Sequence, residues 1–255
     1  MENILESVPA AFNQRKHGDR SGKYNVISTD EIMGVFQENN WHPNSASQVR
    51  VYKKNAHNRD FAKHLITFRN PDLSKINGLH PQINIINSHN GSSKFNMMAG
   101  LYRFICSNGL IVSDSEFESF SIRHIFLNPE VISNAINEIM DVVPRITAKA
   151  EVMDSIIMNP VDRIQMADNV LTGIWGKDKS PFQPSQMLEA RREEDNEPTI
   201  WKTYNVLQEN LMKGGIIGRT STNKKRRMKG ITNIDKTVKI NKLLWNQADE
   251  FLQAA

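Results

Sequence analysis

At 255 residues and 39% hydrophobic content, the chain is long enough to bury a substantial core, as one large domain or two small ones. A mean hydropathy of -0.50 and the lack of any long apolar run argue against a membrane span, and a single cysteine excludes an internal disulfide and fits a reducing cytoplasm. The formal charge is only +4, so the placement of the charges carries more information than their sum.

Leu5, Val8 and Ala11 space a short helix within residues 2–13, and no signal-peptide layout precedes it. Residues 14–23 (QRKHGDRSGK) read as a flexible linker, which makes residues 1–24 an N-terminal arm. Ser28 and Glu31 form a capping box ahead of Ile32, Val35 and Phe36, and Trp41-His42-Pro43 stops that helix. β-type segments follow. Gln48–Lys53 (QVRVYK) and Phe61–Arg69 (FAKHLITFR) alternate, Asn70-Pro71-Asp72 turns, and Asn77-Gly78 leads into Pro81–Ile86 (PQINII). Residues 87–112 read NSHNGSSKFNMMAGLYRFICSNGLIV. Asn90-Gly91 and Asn108-Gly109 are hairpin signals, because type I′ turns need positive φ at both central residues, so the spacing predicts a meander with tight turns. Phe120–Phe126 (FSIRHIF) adds a further strand.

After Asn128-Pro129 the period changes to three and four. Ile132, Ala135, Ile139, Val142, Ile146, Ala150, Met153 and Ile157 mark one long amphipathic helix, capped by Asn128 and kinked or split at Pro144. Asn159-Pro160 opens a second helix. Residues 190–197 (ARREEDNE) form a solvated helix or a mobile stretch, and 197–213 is helical up to Gly214-Gly215. A final helix covers 234–252. Strands first and helices second argue α+β: a mainly antiparallel twisted sheet over 25–128, packed by helices from 129–255 as one unit.

Two stretches resemble a known family. The run NSHNGSS followed by AGLYRFICSNGLIV is similar to the signature of a phage/plasmid-like protein family of unknown function. Trp201, Tyr204, Gln208-Glu209-Asn210, Gly214-Gly215 and Trp245 fall in the order that this family shows near its C-terminus. The resemblance implies a mobile-element origin (a bacteriophage or plasmid) and no reaction.

The sharpest functional signal is the basic run within residues 214–230. Arg219, Lys224, Lys225, Arg226, Arg227 and Lys229 crowd a segment with no acidic residue, between Gly218 and Gly230. As a loop it would track a phosphate backbone and release counterions. Alternatively it is a solvated connection or faces an acidic partner. A second set, Arg50, Tyr52 and Lys54, would share one strand face and hold single strands by stacking and phosphate contact, although the same alternation also yields an ordinary wet face. Arg103 would reach a phosphate, or pair with Asp114 or Glu116. Asn87 to Asn90 would make an anion-binding turn or ordinary Asx turns.

Catalytic signals are weak. His80, His89, His124 and Cys106 lack metal-site spacing, and no phosphate-cradling glycine loop occurs. Asp114, Glu116 and Glu118 alternate as a metal-binding or edge-protecting strand. The expectation is therefore a non-enzymatic cytoplasmic protein without metal or cofactor. It would bind single-stranded DNA in recombination or replication, as an annealing protein forming rings or filaments. The alternatives are an interaction protein that blocks a host defence or enzyme, and a metal-dependent nuclease.

Overall fold

The computed structural model describes residues 4, 6–13, 28–73, 79–103, 109–111, 120–122 and 128–255. They fall into two compact units, 1–144 and 145–255. The architecture is α+β, with a six-stranded antiparallel sheet in the N-terminal half and mainly helices in the C-terminal half.

In the first unit, helix α1 (Thr29–Glu38) begins on the predicted capping box: Ser28 Oγ accepts from Glu31 N, and Glu31 reaches back to the Ser28 amide. It ends in a Schellman turn. Asn40 takes φ 60°, its amide bonds Gln37 O, and the Trp41 amide bonds Phe36 O at 2.8 Å. The apolar face of α1 packs on the sheet, where Phe36 stacks on Phe68 with ring centroids 4.1 Å apart.

The sheet runs β1 (His42–Gln48), β2 (His64–Arg69), β3 (Leu79–Asn87), β4 (Phe95–Arg103), β5 (Gly109–Ile111), with β6 (Phe120–Ile122) also on β4. The far edge of β4 is shared: β5 pairs with Gly100–Tyr102 and β6 with Phe95–Met97. Strands β3 and β4 carry the core residues Ile83, Ile85, Phe95, Met97 and Leu101.

Three details differ from expectation. Gln48–Lys53 is not a strand, because β1 lies earlier, over the polar HPNSASQ. Past Val49 no partner continues: the chain before β2 is a 3-10 helix, Lys53–Phe61. Pro43 is tolerated because β1 is an edge strand with a bulge there. Second, Asn90-Gly91 does not make a two-residue turn. Residues 88–94 form a longer loop in which Gly91 alone takes positive φ. Ser88 Oγ accepts from Ser93 N at 2.9 Å, and Asn90 Oδ1 accepts from Ser92 N at 3.0 Å, so this is Asx-turn chemistry. Third, within the N-terminal segment expected to form a single short helix, Ile4 is helical but Pro9–Phe12 is a separate 3-10 turn, with Ala10 and Ala11 buried and Ala10 N bonded to Gln48 Oε1. The linker at 14–23, the turns at Asn77-Gly78 and Asn108, Cys106, and the acidic run 114–118 lie outside the described residues.

Helix α2 (Pro129–Ser155) starts with Asn128 Oδ1 accepting from Val131 N and is assigned as one helix through Pro144, so the proline does not split it. The second unit continues with α3 (Pro160–Trp175), the single turn α4 (Pro184–Met187), α5 (Ile200–Lys213), a hairpin of β7 (Gly214–Arg219) and β8 (Lys225–Lys229), and α6 (Ile234–Ala254). Side chains of Asn159, Thr199 and Asn233 cap α3, α5 and α6. The buried core of this unit includes Leu171, Leu207, Leu211, Leu244 and Trp245. Among the described residues no helix is long and apolar enough to cross a membrane.

Candidate nucleic-acid interface

The basic run is a β-hairpin rather than a loop. Arg219 pairs with Lys225, Gly218 with Arg226 and Ile217 with Arg227, and a bulge lies between Gly214 and Ile217. Gly214 and Gly215 do end α5, with φ of 66° and 93°, and the chain turns from them directly into β7. The tip is closed by its own polar groups. Asn223 takes φ 59°, its amide donates to Thr220 O, and the Arg219 guanidinium donates to Asn223 O and Oδ1.

Two contacts fix the hairpin on the unit. Arg219 N donates to Pro181 O at 2.7 Å, and Gln186 Nε2 donates to Ile217 O at 2.9 Å. The approach is so close at Gly218 that an added Cβ would lie 2.0 Å from Pro181 O and 2.6 Å from Phe182 Cδ1. A glycine is required there, and its absent side chain brings Phe182 under the hairpin.

All six expected cations of this run are exposed, whereas Met228 is buried and anchors β8. Below β8 opens a groove of about 650 Å³. Ile174, Trp175, Phe182, Met228, Ile240 and Leu243 supply its apolar surface; Arg226, Arg227, Lys229, Lys236 and Lys239 supply its charge. No carboxylate is among the lining residues. Trp175 and Phe182 meet at 5.4 Å and 64°, edge to face. Trp175, Phe182, Lys236 and Lys239 were not singled out from sequence. They come from α3, the 177–184 connection and α6, and only the fold brings them to β8. The one local hint was that Lys236 and Lys239 lie three apart and so share a face of the last helix.

The other expected site residues belong to the first unit and are not arranged as expected. Arg50 and Tyr52 are exposed, Tyr52 at 71%, but they follow β1 on irregular chain, and Lys54 sits in the 3-10 helix. The period-two face proposed for these three therefore does not exist. Arg103 is the last residue of β4, opposite Leu79. Among the described residues no cluster of metal-ligating side chains occurs.

Behind the hairpin lies a buried polar network. Glu209 on α5 is 2% exposed and takes a salt bridge from Arg192 at 2.6 Å and another from Lys213. Burial by itself would raise its pKa; the hydrogen bonds and charges of Arg192 and Lys213 outweigh that and hold the carboxyl below its ordinary value. Asn210 donates to Met187 O and Glu189 O and accepts from Arg191 Nε, while the Arg191 guanidinium also donates to Gly214 O at the root of β7. Gln208 Nε2 donates to Asn241 Oδ1 on α6. Residues 190–197 include a short 3-10 helix, Glu193–Asp195, and are largely exposed, but Arg191 and Arg192 are tied to Asn210 and Glu209 and Asp195 is buried. Trp201 stacks on Tyr204, which meets Trp245 edge-on.

These interior residues are the ones that carry the C-terminal part of the resemblance noted above. A family described as "Domain of unknown function (DUF932)" matches residues 16–245. The chain belongs to the DUF932 family. Two relatives from Escherichia coli (strain K12), UPF0380 protein YafZ and UPF0380 protein YfjQ, are each 32% identical over 255 residues, which covers 98% of this chain and 90% of theirs. No solved structure matches. In this DUF932 chain the Gln208-Glu209-Asn210 motif and the Trp201, Tyr204 and Trp245 rings are interior, and through Asn210 and Arg191 the motif reaches Gly214 O at the root of the hairpin. The Asn87-Ser88-His89 motif is likewise interior, with all three residues fully buried.

Proposed function

We propose that this protein binds single-stranded DNA, with the β7–β8 hairpin and the lysines of α6 as its phosphate-contacting surface. The observation that carries the reading is the groove: five cations and no carboxylate line an apolar, aromatic-bearing surface that is pinned to the helical unit. Cations neutralise phosphates, and a dry aromatic floor suits bases that are not paired. In this reading the activity serves recombination or replication of a mobile element in the host cytoplasm, and the resemblance to phage and plasmid proteins supports only the mobile-element origin. Single-strand annealing is the concrete form: it needs the backbone held and the bases available, and no catalytic residue, metal or cofactor. Repetition of the groove around a ring or along a filament would extend the track. Exposed Ile157, Val161 and Ile164, with Val161 at 75%, offer an apolar surface for self-association.

Those same apolar residues favour a second reading, a non-enzymatic interaction protein that blocks a host defence or enzyme. The third reading, a nuclease, rests on Asp114, Glu116 and Glu118, which lie outside the described residues.

Fluorescence anisotropy with labelled single- and double-stranded oligonucleotides across a salt series, with light scattering on the same samples, tests the proposal. Salt-sensitive binding that favours single strands, with growth in particle size, is expected. Absence of binding at low salt would remove the nucleic-acid reading.

A further inference from the structure

We propose that the groove beneath β8 is a base pocket: one unstacked base of the bound single strand enters it and packs against Trp175, while Arg226, Arg227 and Lys239 hold the flanking phosphates. The inference rests on the nucleic-acid reading and adds to it the contact that makes the protein distinguish single from double strands.

A purely electrostatic surface needs no cavity. This one has about 650 Å³ of space, inside the range of roughly 300–1,000 Å³ typical of sites for small organic groups. Its floor is apolar and aromatic, so a sugar-phosphate has nothing to gain there, whereas a base has a π face to stack. Its rim is wholly cationic among the titratable lining residues, which selects a ligand that carries negative charge next to a flat apolar group. A nucleotide within a strand has that composition. A base paired in a duplex is already stacked on both sides and would have to be extruded at a cost of a few kcal/mol. The tryptophans sharpen the assignment. Trp41, Trp201 and Trp245 are buried, and Trp175 is the one of the four with a partly open ring. Phe182, held in place by the close approach at Gly218, fixes the orientation of that ring.

The burial pattern gives a direct readout, since base stacking on Trp175 quenches its emission and the three buried indoles stay silent. The full chain is titrated at low salt with a thymidine oligonucleotide, with an abasic oligonucleotide of equal length, and with thymidine monophosphate at matched concentration, following emission and anisotropy together. The expected result is strong quenching by the thymidine strand, binding without quenching by the abasic strand, and little of either with the mononucleotide. Trp175→Leu should weaken single-strand binding about 10-fold, within the range for loss of one base–aromatic stack. Its salt dependence should not change, because no phosphate contact is lost. Trp175→Phe should recover most of the affinity and so separates loss of stacking from damage to the fold. Salt-sensitive binding with no quenching, or a Trp175→Leu protein with undiminished affinity, would overturn the base pocket and leave the hairpin reading standing. Equal quenching by the mononucleotide would overturn the commitment to a strand. No binding by the unaltered chain would overturn both.

Discussion

Replacing Lys225, Arg226, Arg227 and Lys229 together with glutamine should nearly abolish single-strand binding at low salt and flatten what remains. Each phosphate contact on a single strand contributes about 0.7 to the log–log slope of affinity against salt, so four contribute about 2.8. From about 1 M down to about 50 mM salt that slope accumulates roughly 3.6 decades, so on the order of a thousandfold of affinity at low salt is the upper bound at stake. The fold should survive. The four side chains are exposed, and exposed substitutions away from caps and strained positions usually stay within about 0.5 kcal/mol. Met228, which anchors β8, is left in place. Anisotropy across a salt series for the variant and the parent checks this. A variant with the parent's affinity and slope would remove the hairpin from the interface.

The second large effect is on stability and concerns His64. Its Nδ1 lies 3.0 Å from Ala62 O, which accepts only, so Nδ1 carries the proton and Nε2 accepts from the Thr29 hydroxyl at 2.8 Å. Thr29 Oγ1 in turn accepts from Asn87 Nδ2 at 3.1 Å. Burial lowers the His64 pKa from 6.5 to about 4, against a smaller upward pull from the Ala62 carbonyl. The folded state therefore holds the ring neutral. Between pH 6.5 and about 4 the unfolded chain binds the proton and the folded chain does not. Stability from this group is complete above the unfolded value and is lost as pH falls through that window, by roughly 3 kcal/mol in all. That is a large share of the ~5–15 kcal/mol typical of a whole domain. Denaturant unfolding of the parent and of His64→Gln, repeated from pH 7 to pH 4, checks it. The parent should lose stability faster than the variant over that range. Parallel curves would show that His64 is not held neutral by the fold.

These two sites show what can be read from the chain before folding. Elements governed by local chemistry were legible. Ser28 with Glu31, Asn128 and Asn159 signalled helix starts through a side chain that serves the backbone three residues ahead. The β-branched runs of β2 and β3 and the three-four spacing of α2 gave their type directly. Elements made by pairing were not. HPNSASQ has no strand-forming residue except through its partner β2. KRRMK becomes a strand because it pairs with β7, which the Pro181 carbonyl holds in turn. QVRVYK alternates, yet past Val49 it has no neighbour to pair with.

The candidate site divides along the same line. Its charge was visible, because lysines and arginines contiguous in sequence stay contiguous on a hairpin. Its cavity was not, because Trp175, Phe182 and Leu243 meet β8 only after two helices and a connecting loop have packed. The buried Glu209 network was hidden for a related reason. ARREEDNE looks solvated by composition, and only the carboxylate of a distant helix gives Arg192 an interior partner.

The measurement that bears most directly on the central claim is photocrosslinking of an iodouracil-substituted single strand to the full chain, with adducts mapped by mass spectrometry. The account predicts adducts at Trp175 or Phe182 and along the β8–α6 stretch from Lys225 to Leu243, competed away by unlabelled single strand and by salt. Adducts confined to the Arg50–Tyr52 region, or none above the level of a non-binding control protein, would contradict it.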